Sequence, residues 1–305
     1  MPAVSVVTVN FNAGEALLAC VRSVLSSSVA AHVYVVDNAS TDGSIQRLMA
    51  ECAGDERVIV HQNAANVGFA RATNQALRQI ESDSILLLNP DCEVEPCTLA
   101  TMSEVMKSHP EVGMAGCLVL NSDGTEQEGC RRMIPTPGRA FARAFGFERM
   151  AQRVRTWLGH PGRSGVVLTG EPLPAQPAGV EAISGAFMFV RRDAMASVGL
   201  LDEGFFLHCE DLDWCVRFRA AGHVVLFVPS ARTVHHKGRC SRTNPLAVQW
   251  HLHRGMVRFH WKHFRHRYSF VVTALVIVGV WSRFLAVTVA TAWSEARRFI
   301  SDRQG

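Results

Sequence analysis

What most constrains this chain is an alternation in its first third. Short β-branched runs at residues 4–9, 33–36, 58–61 and 85–88 are separated by stretches whose apolar residues recur at helical spacing. Leu17, Leu18, Val21, Val24 and Leu25 line one face of a helix, and Ala70, Thr73, Asn74, Leu77 and Ile80 line one face of another. The polar run Ala39-Ser40-Thr41-Asp42-Gly43 leads into Ile45, Leu48 and Met49 as a capped helix start. This order predicts an α/β fold with a mostly parallel central sheet and helices on both faces. Ligands of such sheets sit beyond the carboxyl ends of the strands. Asn10 and Asn12 follow the first run, Asp37 ends the second, and Asn89-Pro90-Asp91 ends the fourth. These polar groups therefore converge on one edge.

Beyond this region the regularity weakens. Asp123-Gly124, between residues 118–120 and Thr125, marks a hairpin turn. Residues 121–180 carry Pro135, Pro137 and the arginines Arg131, Arg132, Arg139, Arg143, Arg149, Arg153, Arg155 and Arg163, and are expected to be an irregular, functional stretch. A strand at 186–190, a helix from Asp211 and a strand at 224–228 resume the fold. From Trp250 to Arg267 aromatic residues mix with Arg254, Arg258, Lys262, Arg265, Arg267 and five histidines. Residues 268–293 are apolar, with Arg283 the one charge among them. The uninterrupted part, 268–282, is shorter than the roughly 20 residues of a spanning helix. An arginine at depth costs about 2.5–3.5 kcal/mol, a cost that an interfacial helix or a shallow hairpin avoids. Residues 246–305 are thus expected to be a helical segment on a membrane surface, appended to a domain at 1–245.

Composition narrows the function classes. A net charge of +4 gives no ground for a nucleic-acid partner. The nine cysteines include no CxxC pair, which predicts reduced, packed thiols and a cytosolic setting. No basic-then-apolar leader precedes the first strand, so no signal peptide is expected.

Three constellations could carry chemistry. Asp91 at a strand end is suited to an oxygen-loving divalent cation that grips a diphosphate, although Asp after Pro is also ordinary turn chemistry. Glu210, Asp211 and Asp213, followed by Trp214, crowd a helix start; their mutual repulsion and the helix dipole act oppositely on their pKa values, a setting for a general base or simply an acidic first turn. His235 and His236 follow Pro229 as possible metal ligands or as surface histidines.

The order of the motifs is more specific than any one of them. VSVVTVNFNAG, VVDNASTDGS, NVGFARATNQAL, LLLNPDCEV, LNSDGTEQEGCRR, ISGAFMFVRR, GFFLHCEDLDWCVRFRAAGH and VHHKG together resemble glycosyltransferase family 2, nearest to bacterial polysaccharide rhamnosyltransferases. The likeness spans about residues 4–241 and leaves the C-terminal segment without a matching motif. It implies a single GT-A nucleotide-sugar-binding domain. In that reading Asn10 and Asn12 line the nucleotide cleft, Asp37 binds the base, and Gly68, Arg71 and Asn74 lie against the nucleotide or its diphosphate. Asp91 stands for the last acid of the DxD metal motif, whose first acid is here Asn89. His235, with His236 as the alternate, completes a site for Mn²⁺ or Mg²⁺, and Asp211 is the catalytic base. Glu210, Asp213 and Trp214 are supporting residues, and the arginine-rich middle is an acceptor loop.

The resemblance further implies inverting transfer of a sugar, first of all L-rhamnose from dTDP-rhamnose, to a polyprenyl-diphosphate-linked saccharide at the inner face of the plasma membrane. Galactofuranose and GlcNAc are the alternative donors, and a catalytically inactive sugar-nucleotide-binding scaffold is the non-enzyme alternative. A dinucleotide oxidoreductase is disfavoured because Asn10-Phe11-Asn12-Ala13-Gly14 is not the GxGxxG turn such enzymes need after the first strand.

Overall fold

The computed structural model describes residues 4–144, 168, 169, 171–236 and 245–301. Strand β1 (Val4–Asn10) is buried at every position, which is why its sequence does not alternate apolar with polar. It is followed by α1 (Ala16–Leu25), β2 (Ala31–Asp37), α2 (Ser44–Glu51), β3 (Val58–Gln62), α3 (Phe69–Leu77) and β4 (Ser84–Leu88), the predicted strand–helix alternation. Gly43 caps α2 in the left-handed region, and Asp42 Oδ1 accepts from the Ser44 N–H at 3.0 Å.

Then come β5 (Cys92–Val94), α4 (Thr98–Ser108), β6 (Val112–Leu120), β7 (Arg131–Arg132), α5 (Pro137–Ala144), β8 (Ala178–Gly179), β9 (Ala182–Ile183), β10 (Phe187–Arg191) and α6 (Arg192–Val198). The chain ends with α7 (Glu210–Ala220), β11 (Val224–His235), α8 (Pro245–Phe264) and α9 (Phe270–Ser301).

The main sheet runs β3-β2-β1-β4-β10-β6-β11-β5, with β8 on β11. Strands β3, β2, β1 and β4 are mutually parallel, β10 is antiparallel to both its neighbours, and β11 is parallel to β6. The carboxyl ends of β1, β2, β4, β6 and β11 therefore share one edge, and β10 begins there.

Two expectations change. The strand predicted at 224–228 does not stop before Pro229. Its register jumps between Val228 and Arg232, so that Pro229, Ser230 and Ala231 bulge out before pairing with β6 resumes. The strand then runs on to His235, between β6 and β5. The apolar C-terminal stretch is one continuous helix, α9, rather than a shallow hairpin.

Helix α8 is bound to the rest of the fold by charge. Asp202 accepts from Arg258 at 2.8 Å and Lys262 at 2.7 Å, while Asp213 meets Lys262 at 2.7 Å and His263 at 2.8 Å. The His251 ring stacks on Phe206 at 4.2 Å. A Cβ at Gly255 would stand 2.9 Å from the His208 carbonyl oxygen, so a larger residue would push α8 off the turn that precedes α7.

Candidate active site

The Asn89-Pro90-Asp91 turn leaves β4 and enters β5, whose Cys92 pairs with His235 on β11. This register brings Asp91 Oδ1 to 3.0 Å from His235 Nε2, with Asp91 4% and His235 8% exposed. The His235 Nδ1 lies 2.6 Å from Gln127 Oε1. Gln127 Nε2 donates to the His235 carbonyl at 3.3 Å and to Asn121 Oδ1 at 3.0 Å, so Oε1 is the atom turned to the ring, and Nδ1 must carry the hydrogen. Nε2 is then the ring atom turned to the Asp91 carboxylate, where an imidazolium would donate to that oxygen and a neutral ring would share a cation with it.

Cys92 is the third potential donor, its ligand atom within 4.8 Å of the others. Burial pushes its thiol well above the ordinary range, and Sγ contacts the Ala186 carbonyl at 3.6 Å. The usable donors are therefore one carboxylate oxygen and one imidazole nitrogen, a set able to ligate a divalent cation. His236 is not part of it. Its Nε2 faces Glu93 Oε1 at 2.9 Å and its Nδ1 faces Ser122 Oγ at 2.8 Å.

The three acids at the start of α7 have three different fates. Burial and the neighbouring Asp211 push Glu210 up to about 8, so it is mostly neutral at pH 7, and its Oε2 is buried without a hydrogen-bond partner. Asp213 is fully buried and held by Arg217, Lys262 and His263; burial opposes its ionisation, but these partners bring its pKa below the usual range. It anchors α8 and is not a base. Asp211 also resists burial: Arg132 Nη2 pairs with its Oδ2, and the Leu212 N–H donates to Oδ1 at 2.8 Å, which keeps the carboxyl below its ordinary value. His208 and Cys209, both at φ 69°, turn the chain sharply into α7; such left-handed non-glycine residues cost about 1–3 kcal/mol each.

The two centres are joined by short stretches of chain. Ala186 accepts from the Asn89 N–H at 3.0 Å, and the adjacent Gly185 N–H donates to Asp211 Oδ2 at 3.2 Å. A Cβ at Gly185 would meet the Asp211 Cβ at 3.0 Å, so glycine permits this approach. A second strap carries Gln127 against His235 and, five residues on, Arg132 against Asp211. Sequence reading singled out neither Gln127 nor Arg132 for these contacts.

A family model described as glycosyltransferase like family 2 matches residues 2–251. The chain belongs to glycosyltransferase family 2, and it is a glycosyltransferase. It is 26% identical over 252 residues to the N-acetylglucosaminyl-diphospho-decaprenol L-rhamnosyltransferase of Mycobacterium tuberculosis, covering 79% of this chain and 78% of that protein. It is 35% identical over 74 residues to rhamnosyltransferase WbbL of Escherichia coli K12, covering 24% of this chain and 28% of that one. Among solved structures it resembles GalNAc-T7 with UDP, GalNAc and Mn²⁺ (TM-score 0.60, 17% identity, 86% of this chain), of which it spans 48%. It also resembles the mannosyltransferase PcManGT of Pyrobaculum calidifontis in complex with GDP-Man and Mn²⁺ (TM-score 0.58, 16% identity, 95% of this chain and 75% of that one). The fold is thus the GT-A fold.

Several residues expected to touch the nucleotide are engaged in hydrogen bonds of the fold. Asn10 is fully buried and Asp37 is 2% exposed; Asn10 Nδ2 donates to Asp37 Oδ1 at 2.7 Å, Ser44 Oγ at 2.9 Å and Ser40 Oγ at 3.0 Å. Asn74 is 1% exposed and joins α3 to the Leu201 backbone through both amide atoms. Trp214 is in the core, its Nε1 donating to the Gly199 carbonyl. Asn12, at φ 55°, shapes the loop by accepting from the Thr41 N–H at 2.8 Å. Asp37 ends β2, its Oδ2 accepting from the Ser40 N–H at 3.1 Å; Asn89 is half-buried. Gly68 is buried at φ 87° with the Phe206 carbonyl 2.7 Å from where a Cβ would stand, and Arg71 is exposed, 3.7 Å from Glu203.

In the arginine-rich stretch, Arg131 is paired with Glu126 and Arg139 with Glu181. The side chain of Arg143, and Arg149, Arg153, Arg155 and Arg163, lie outside the described residues. Six of the eight described cysteines are buried.

Proposed function

We propose that the chain is an inverting, divalent-cation-dependent sugar transferase that takes L-rhamnose from dTDP-rhamnose and places it on a hydroxyl of a polyprenyl-diphosphate-linked saccharide. The observation that carries this reading is the convergence of Asp91, His235 and Asp211 on one sheet edge through the Gly185-Ala186 turn. The rhamnosyltransferase relative, whose name includes a diphospho-decaprenol acceptor, supports donor and acceptor class.

In this reading Asp91 and His235 hold Mn²⁺ or Mg²⁺, which supplies positive charge to the leaving diphosphate. Asp37 takes the base of the nucleotide. Asp211, kept ionised by Arg132, receives the proton of the acceptor hydroxyl. The acceptor oxygen bonds to the anomeric carbon as the bond to the diphosphate breaks with its electron pair, through an oxocarbenium-like state. One displacement inverts that carbon. With a purified polyprenyl-diphosphate sugar and Mn²⁺, nucleotide release is expected from dTDP-rhamnose and not from UDP-GlcNAc or UDP-galactofuranose. Faster release from either of those overturns the donor assignment, and release from none overturns the proposed pairing of donor and acceptor.

The same proposal places the enzyme at the inner face of the plasma membrane through α9. Within Phe270–Thr291 an 18-residue stretch has a mean hydropathy of 2.2 and is almost unburied, with Leu275, Val278 and Leu285 each more than 60% exposed. Each such side chain gains about 1.5–3 kcal/mol on leaving water. Charge contributes less than the sequence implied, because Arg258 and Lys262 are spent on Asp202 and Asp213, leaving Arg254, Arg265 and Arg267 for anionic lipid. The full chain is expected to sediment with liposomes, more with anionic lipid than without. Aspartate at positions 275, 278 and 285 together should leave it in the supernatant; unchanged sedimentation of that variant refutes α9 as the anchor.

A further inference from the structure

A hydrogen-bond chain outside the proposed ligands has a polarity that can be traced end to end. At the turn after β6, the Asp123 carboxylate can only accept, and it takes the Thr125 N–H at 3.0 Å and the Thr125 hydroxyl at 2.6 Å. With its hydrogen spent, Thr125 Oγ1 accepts from Asn121 Nδ2 at 3.0 Å. That turns Asn121 Oδ1 to Gln127, which answers with Nε2 at 3.0 Å. The His235 carbonyl, also an obligate acceptor, demands the same Nε2 at 3.3 Å. Two independent constraints thus leave Gln127 Oε1 facing His235 Nδ1 at 2.6 Å. Gln127 is 4% exposed and His235 8%, so water offers no ready substitute.

We propose that Gln127 is a positioning residue which, set by the Asp123–Thr125–Asn121 chain, holds His235 with its hydrogen on Nδ1 and its Nε2 turned toward Asp91 as a cation ligand. The proposal rests on the metal reading above and adds what makes His235 competent. Supporting groups that fix a ligand imidazole are worth about 10–100-fold in metal affinity. The same seven-residue turn also explains why a polar run as plain as Asn121 to Gln127 sits beside the site: each residue used here is an acceptor or donor whose direction the next one needs.

The test uses the full chain. With ¹⁵N-labelled histidine and no metal, the His235 ring is expected to carry hydrogen on Nδ1; a neutral ring with hydrogen on Nε2 alone overturns the proposal without any variant. Mn²⁺ affinity, read from the free-ion electron paramagnetic resonance signal, should fall about 10–100-fold in Gln127→Leu, which removes the acceptor. Gln127→Glu keeps an acceptor oxygen and should stay within about threefold of the unaltered protein, on the pattern of carboxylate–histidine–metal triads. Equal losses in both variants would assign Gln127 to packing and overturn the proposal, as would undiminished affinity in Gln127→Leu. If the unaltered protein bound no Mn²⁺, the metal reading would fall and the ligand role of His235 with it; the metal-free ring measurement separates that failure from an error about Gln127.

Discussion

Asp211→Asn is expected to lower turnover by about 10²–10⁴-fold while leaving donor binding nearly unchanged. Asn keeps the shape but only one acceptor oxygen, so it cannot serve the Leu212 N–H and the Arg132 and Gly185 donors together, and the fold of the variant is checked by circular dichroism beside its turnover. What is lost is a group able to take a proton. Turnover within about threefold of the unaltered enzyme would remove Asp211 from the mechanism. Neither neighbour could then replace it easily, since Asp213 is enclosed by Arg217, Lys262 and His263 and Glu210 is buried and mostly neutral.

Arg132 gives the same assignment a pH signature. Burial favours the neutral form of Asp211, and Arg132 reverses that preference, so the folded carboxyl titrates below its ordinary range. The pair's contribution to stability is present above the unfolded carboxylate pKa and is lost as pH falls through the lower, folded value. In Arg132→Gln the burial is opposed by the Leu212 and Gly185 N–H donors and His208 but no longer by the guanidinium. The acid limb of kcat should then move to higher pH, whereas an arginine that merely packed the loop would leave the limb in place.

Much of the fold is legible because burial on both faces writes itself into sequence as largely apolar runs, as in β1 and β4. The same physics hid β6. Gly113 and Gly116 break its apolar pattern because a Cβ at either would stand 2.8 Å from side-chain atoms of Phe218 and His223 or of Ile183. Pro229 normally ends a strand, so the sequence marks β11 only to Val228, yet the bulge of Pro229, Ser230 and Ala231 lets the strand continue to His235.

The residue types of Asp91, His235 and Asp211 suggest the tasks proposed for them, and the fold brings Asp91 against His235. The site was illegible where the task depends on direction. Asn10 and Asn74 have the composition of ligand-binding residues and are engaged in hydrogen bonds of the fold; Gln127 and Arg132 look like ordinary loop residues and touch the two centres. An amide carries a donor and an acceptor at once, so only the arrangement of its neighbours decides what it offers.

Asp91→Ala should weaken nucleotide-sugar binding in Mn²⁺ by more than the roughly 10–100-fold that losing a supporting neighbour costs, and should change it little in EDTA. The difference between buffers is the informative quantity, because a cation couples protein to diphosphate only when it is bound. Asp91 is the one carboxylate of the pair, Asn89 standing where the family motif has its first acid, so no second acid of that motif can compensate. His235→Ala should follow Asp91→Ala in direction and in its dependence on Mn²⁺. His236→Ala should bind like the unaltered protein, since that ring is turned to Glu93 and Ser122. Titration of the three variants against labelled donor in both buffers measures all of this. Equal losses for Asp91→Ala with and without Mn²⁺ would mean that its carboxylate acts on the protein alone. In that case the 3.0 Å approach to His235 is an ordinary buried ion pair and the diphosphate must be held by cationic side chains instead.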